Sequence, residues 1–436
     1  MKKTLITALV MLMFSVSYAQ VDTLVQYYRL KAMDYQQSVK MAEHSLSGAQ
    51  SKVDAAQAGR LPQLDFHSKY AYFGEGMLQA PTEVGVVGDE IHNFYSLNLD
   101  LYQPILTGGY LINTKRVAES ETKMMESLVY MNKQQVILNA DIFYWGAVAK
   151  KELLNLDIKY QEVIDSFVKV IKDRVDEEVV GMNELYQAKV RYNEAGYDVI
   201  RSKKEYEVSI MKLNRLIGLP VSTPAFVADS LTVIQWNKAV DTLEELALSQ
   251  RPEIGYFENE VLKNQYSEKI TGSKYMPQLG VLAGGKWGAP SPGLDIEPGF
   301  NYYLKAQLSI PIFHWNQKHK EVFAIRQQTE ISKLQKQEAE DRIRLEVESS
   351  YYKLQRSQEQ LDFAKGSLEN AKKNVNVFLD RYNEGLSSVL EVLDAQLGWQ
   401  RTYRNFILAK YELNMAYSQY LYALGEFSNL SKENEE

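Results

Sequence analysis

Five pairs of residues stand 207 positions apart: Pro104 and Pro311, Tyr144 and Tyr351, Arg174 and Arg381, Ala188 and Ala395, Gly218 and Gly425. One offset held over more than a hundred residues means that one unit is built twice. Upstream, Leu61-Pro62-Gln63-Leu64 matches Met276-Pro277-Gln278-Leu279 at an offset of 215, so the second copy is eight residues shorter between the two landmarks. The difference falls in a loop, 20 residues from Gly74 to Asn93 but 12 from Gly288 to Gly299. A period near 200 is too long for a solenoid and implies two pseudo-symmetric halves.

The first residues set the compartment. Lys2 and Lys3, an apolar run from Leu5 to Val16, and the small-residue exit Ser17-Tyr18-Ala19 make residues 1–19 a secretory signal peptide. The apolar run is shorter than the ~18 residues of a spanning helix. The 436-residue chain has no cysteine, which excludes disulfides, an N-terminal lipid, thiol catalysis and zinc-thiolate sites. Its net charge of -7 is spread along the chain, and no basic stripe offers a surface to nucleic acid.

Long helices dominate the organisation. Ile112 to Val180 and His314 to Glu384 contain no proline and one glycine each, Gly146 and Gly366. Each run can form a helix of ~70 residues, or ~100 Å, longer than an ordinary globular domain accommodates. Shorter helices are expected at 24–58, 183–217, 243–273 and 388–424; Pro252 would kink or open the third of these.

Four short stretches have a period of two. Tyr95, Leu97, Leu99 and Leu101 alternate with Ser96, Asn98 and Asp100, and Tyr302, Leu304, Ala306, Leu308 and Ile310 alternate with Tyr303, Lys305, Gln307 and Ser309. These read as strands with one apolar and one polar face. Their partners, 64–72 and 279–287, alternate less cleanly. Tyr70, Tyr72, Phe73, Phe94 and Tyr95 gather at one end, as do Trp287, Phe300, Tyr302 and Tyr303. This is the collar that a transmembrane barrel places at the lipid boundary, although aromatics also fill the core of a soluble sheet packed on helices.

The expected domains are residues 1–19, signal peptide; 20–218, a first repeat with strands 63–73 and 94–106, long helix 112–180 and return helix 183–217; and 219–240, an insert. Residues 241–425 are a second repeat with strands 278–287 and 300–313, long helix 314–384 and return helix 388–424, and 426–436 are a tail. Four strands cannot close in lipid, because the two edges would leave backbone groups unpaired in hydrocarbon. Two copies give eight strands and a filled interior; three give twelve and room for a lumen. The expected fold is mainly α with a transmembrane β-barrel built from four β-strands per chain; the family resemblance carried by the motifs that follow implies that the duplicated long helices form an α-barrel and that the strands close into a twelve-stranded barrel as a trimer.

The order of segments, the duplication, Ala58-Gly59-Arg60-Leu61-Pro62-Gln63-Leu64, Leu101-Tyr102-Gln103-Pro104-Ile105-Leu106, and Arg381-Tyr382-Asn383-Glu384-Gly385-Leu386 through Val392-Leu393-Asp394-Ala395-Gln396 resemble the TolC family of outer-membrane efflux proteins. The resemblance covers essentially the whole mature chain. It implies a homotrimer in outer-membrane lipid with a large periplasmic part, and an equatorial belt from the insert near Pro220 and the C-terminal tail. It also implies a passive exit duct of a tripartite efflux or type I secretion system, served by an inner-membrane pump through a periplasmic adaptor, or membrane fusion protein.

The resemblance further implies an iris-like gate at the turns between long and return helices. Glu391 and Asp394 fall on the family's acidic ring positions, where three copies would place six carboxylates around one opening and favour cations. On spacing alone they are a solvated pair on a surface helix. Tyr382 falls on the gate tyrosine, with Glu184 opposite as the acid to which it would hydrogen-bond; the gate arginine position holds Ser387. Gly181, Gly385 and Leu386 fall in the turns where adaptors dock, but Glu178 stands where the second copy has Gly385, and Gly181 is displaced by three.

Chemistry finds little support. Gly280 to Lys286 fits the start of a phosphate-binding loop, but Trp287 replaces its Ser or Thr and no helix follows. His314 and His319 are five apart, off a single helix face, and no nucleophile elbow occurs. No catalytic group, metal or cofactor is expected. The alternative class is a periplasmic coiled-coil adaptor or structural protein of an envelope-spanning transport complex. An adaptor needs a β domain between two helices; this chain has two separated strand pairs.

Overall fold

The computed structural model describes residues 23–77, 91–234, 236, 243–289 and 298–427. The signal peptide, the middle of both inter-strand loops, the end of the insert and nearly all of the C-terminal tail lie outside the described residues. In chain order the elements are α1 (Thr23–Tyr35), α2 (Gln37–Ala58), β1 (Gln63–Met77), β2 (Ile91–Thr107), α3 (Tyr110–Asp176) and α4 (Met182–Leu216). The second half gives α5 (Leu243–Gln250), α6 (Pro252–Ser273), β3 (Gln278–Ala289), β4 (Gly299–Ser309), α7 (Gln317–Asn383) and α8 (Val389–Leu424). Among the described residues no helix is long and apolar enough to cross a membrane.

The chain forms two compact units, one of residues up to 42, 128–254 and 339 onward, the other of 43–127 and 255–338. The first unit is helical. The return helices α4 and α8 both close on a left-handed glycine, Gly218 and Gly425, each with φ +78°. A side chain there would run into the junction between the preceding short helices, the Tyr35 ring in one copy and Gln250 in the other. Pro252 does open the helix expected at 243–273: α5 ends at Gln250, and α6 begins on the proline, which suits a first helical position lacking an intrahelical partner.

Buried carboxylates bind α3 to its neighbours. Asp141 accepts two hydrogen bonds from Arg29 of α1, at 2.6 and 2.7 Å, and one from the Ser418 hydroxyl of α8, at 2.7 Å. Glu152 meets Lys410 Nζ at 2.5 Å and accepts from the Leu231 backbone N–H at 3.0 Å, which ties the insert down. Asp157 accepts from Ser202, from Gln400 at 2.9 Å and from Arg404 at 2.7 Å. Buried charge is costly unless paired, so these contacts fix which residues of α3 and α8 face one another more than they add net stability.

The second unit holds a four-stranded antiparallel sheet in the order β1-β2-β3-β4, with β1 and β4 as open edges. One face carries Phe66, Leu99, Tyr302 and Leu304, and it is exposed: Phe66 65 %, Tyr302 80 %, Leu304 76 %. The other carries Asp65, Lys69, Asn98, Asp100, Lys286, Tyr303 and Lys305. The aromatic collar divides between the two. Tyr70, Tyr72, Tyr95, Trp287, Phe300 and Tyr302 share the apolar face, whereas Tyr303 hydrogen-bonds to Asp100 and Phe94 lies beneath Lys69 and Lys286 on the polar face. The Gly280–Lys286 stretch is part of β3, not a phosphate-binding loop.

Candidate gate at the paired helix turns

The two turns that join long to return helices share one backbone. At the end of α3, the Val179 N–H reaches the Arg174 carbonyl at 2.8 Å and the Glu178 N–H reaches Val175 at 3.0 Å. At the end of α7, Leu386 reaches Arg381 at 2.7 Å and Gly385 reaches Tyr382 at 3.1 Å, the same bonds displaced by the repeat. This is the Schellman closure, which needs a left-handed residue. Gly385 supplies it with φ +74°, while Glu178 is forced to φ +58°.

Gly181 has another task. It is the N-cap of α4, with φ -81°, and corresponds to Ser388, the N-cap of α8. The displacement of Gly181 by three positions from the counterpart of Gly385 thus puts the first copy's glycine at the cap and leaves Glu178 at the left-handed site. The residues at the two tips are Val179 and Leu386, exposed by 64 % and 63 %. Because a β-carbon in the left-handed region costs roughly 1–2 kcal/mol, Glu178→Gly should stabilise the protein by about 0.5–1 kcal/mol after glycine's greater chain entropy is deducted. Thermal melts followed by helical circular dichroism check this, with Gly385→Ala expected to shift in the opposite direction.

The acidic pair sits on the first turn of α8. Ser388 and Glu391 form a capping box: the Glu391 carboxylate accepts from the Ser388 N–H at 2.7 Å and from its hydroxyl at 3.0 Å, and the Ser388 oxygen accepts from the Glu391 N–H at 3.3 Å. The Ser388 backbone N–H, then its hydroxyl, hold the Glu391 carboxyl below the usual glutamate range. Its charge therefore persists to lower pH than that of a free glutamate. Asp394, one turn further on and 64 % exposed, lies 3.6 Å from Arg191 of α4, which also pairs with Glu194 at 3.0 Å.

Tyr382 is buried, 3 % exposed, edge-on to Phe167 with ring centroids 5.3 Å apart. Its hydroxyl has no hydrogen-bond partner, so the expected bond to Glu184 is not formed. Arg174 intervenes, stacking over the Tyr382 ring at 4.3 Å and donating to the Tyr382 carbonyl at 3.1 Å. Burial, the largest cause, raises the Tyr382 pKa. Ser387 donates to the Phe378 carbonyl at 3.1 Å and pins the turn to its own helix. Glu184, the repeat counterpart of Glu391, stands three residues after Gly181 and lacks the serine that would hold it.

Sequence reasoning passed over Ser388, Arg174 and Arg191. The Ser388-x-x-Glu391 spacing is a local capping signal and was available. Arg191 and Asp394 are brought together only by the packing of α4 on α8.

Residues 243–426 match the model of the family described as outer membrane efflux protein. No curated protein sequence matches the chain. Among solved structures, CusC is similar with a TM-score of 0.78 at 16 % identity, over 94 % of this chain and 95 % of that one. The CmeC outer membrane channel of Campylobacter jejuni gives 0.77 at 18 %, over 94 % and 89 %. VceC of Vibrio cholerae, an outer membrane protein, gives 0.79 at 14 %, over 92 % and 96 %. At such identities the likeness is one of fold, an α-barrel chain with a β-barrel contribution.

The chain therefore matches the outer membrane efflux protein family over residues 243–426 and shares the fold of these outer membrane channels over nearly its whole length.

Proposed function

We propose that three copies close the sheet into a twelve-stranded barrel and act as the passive exit duct of a tripartite efflux or type I secretion system. An adaptor docks at the turns around Gly181, Gly385 and Leu386, and an inner-membrane pump supplies the energy. The observation that carries this reading is the sheet: two unpaired edges, one exposed apolar face and one polar face in a single four-stranded ribbon. Lipid accepts the apolar face but not the edges. The polar face then lines a lumen.

Glu391 and Asp394 form the cation-favouring constriction, and Tyr382 with Arg174 anchors the second turn against α3. The Tyr382–Arg174 stack replaces the Tyr382–Glu184 latch as the restraint on closure. The double variant Glu391→Gln, Asp394→Asn tests the constriction, because glutamine keeps the capping hydrogen bond while removing the charge. In planar bilayers its cation preference should fall, with sedimentation unchanged, since charges closer than the ~8 Å screening length act strongly on a passing ion. Wild-type reversal potentials would place the selectivity elsewhere. In the wild type, cation preference should survive acidification through the ordinary glutamate range and fade only as pH drops past the lowered Glu391 pKa.

A further inference from the structure

The chain contains a template for its own assembly. Under the repeat offsets of 215 for β1 to β3 and 207 for β2 to β4, the two hairpins have one register. Gln63 opposite Tyr102 becomes Gln278 opposite Ser309, and Tyr72 opposite Asn93 becomes Trp287 opposite Phe300. The remaining seam, β2 against β3, is used once within the chain. Its counterpart is β4 against β1, the two open edges.

Three features of those edges fit such a seam. In β2, residues 103–107 pair with β3 as far as Gln278. The equivalent residues 310–314 belong to no strand, and Ile310, Ile312 and Phe313 are exposed by 55, 93 and 68 %. Side-chain bulk is also complementary. The internal seam sets Leu99 against Gly285 and Leu97 against Trp287. The transposed seam sets Ala306 against Tyr70, with large and small exchanged, and Leu304 against Tyr72, again a leucine facing an aromatic. On the polar face, Gln307 falls opposite Lys69 and Lys305 opposite Ala71, so no like charges directly oppose one another.

We propose that β4 pairs antiparallel with β1 of a second copy of this chain in this register: Leu304 opposite Tyr72, Ala306 opposite Tyr70, Leu308 opposite Ser68, with residues 310–314 extending the strand along Phe66–Gln63. The inference rests on the trimer proposed above and assigns its seam residue by residue. The seam leaves its template at the lower end. Gly108, with no room for a side chain beside Met276, is replaced by Trp315, which is 87 % exposed at φ +45°. Pairing therefore stops before that turn.

The chain has no cysteine, so paired cysteines report the register directly. The full-length protein in detergent carries L308C with S68C, and separately A306C with Y70C in case one pair fails to assemble. Facing β-carbons lie ~4.5–5.5 Å apart and register-shifted ones ~7–8 Å, so mild oxidation should join the facing pairs into covalent trimers. Single variants should remain uncrosslinked, and the shifted pairs L308C with Y70C and L308C with F66C should react about ten-fold less. Preferential reaction of a shifted pair, or none in either facing pair, in a preparation that sediments as a trimer overturns the register and leaves the trimer standing. Sedimentation as a monomer or dimer before oxidation overturns the trimer as well.

Discussion

Replacing Asp141 with alanine should cost about 3–5 kcal/mol of stability, the largest effect expected from any single change in the helical unit. Arg29 and Asp141 are both buried, with side-chain exposures of 9 and 0 %, and the carboxylate is the guanidinium's bidentate partner. Truncation leaves a positive charge without a partner where water cannot reach it. Asp157→Ala should cost less, because Arg404 keeps 28 % of its side chain exposed and can turn to solvent. Exchanging both members, Arg29→Met with Asp141→Leu, should recover most of the loss, since an ion pair replaced by apolar groups of similar volume is often neutral. Denaturant melts of the single and double variants in detergent check this. A double variant as unstable as Asp141→Ala would mean that the pair itself contributes net stability.

Loss of assembly should remove the folded state altogether. Each strand edge presents a row of N–H and C=O groups, and an unpaired group in hydrocarbon costs several kcal/mol. The protein in mild detergent should therefore sediment as a trimer, and heating in SDS should convert it to an unfolded chain without passing through a folded monomer. Analytical ultracentrifugation together with circular dichroism decides the matter; a monomer that keeps its β-sheet signal would contradict the trimer.

Much of the architecture was legible because its signals are long-range or periodic. The offset of 207 needs no structure, and 67-residue helices follow from runs free of proline and nearly free of glycine. The break between α1 and α2 was not legible. Residues 34–38 read Asp-Tyr-Gln-Gln-Ser, with no breaker. Packing makes the break: Gln36 donates to the Leu216 carbonyl at 2.5 Å, and Gly218 sits against the Tyr35 ring. The collar misled because clustering along the chain does not tell which face a residue takes; the pairing of Ser96 with Gly288 and Asn98 with Lys286 fixes Phe94 and Tyr303 to the polar side. At the gate, sequence placed Glu391 and Asp394 on one helix turn, but Tyr382 found Arg174, eight residues before Met182, instead of Glu184 beyond it.

The shared backbone of the two turns has an evolutionary consequence. In a ring assembled from an unduplicated ancestor, one codon would set every turn, and any change would act on all of them together. After duplication, codon 178 governs only the first turn and codon 385 only the second, and the glutamate at one and glycine at the other show that the two have drifted apart. In a trimer such a change reaches every other turn. Half of the ring can then adapt to a new neighbour while the other half preserves the old geometry, so the assembly can vary its contacts without ever losing closure in a single step.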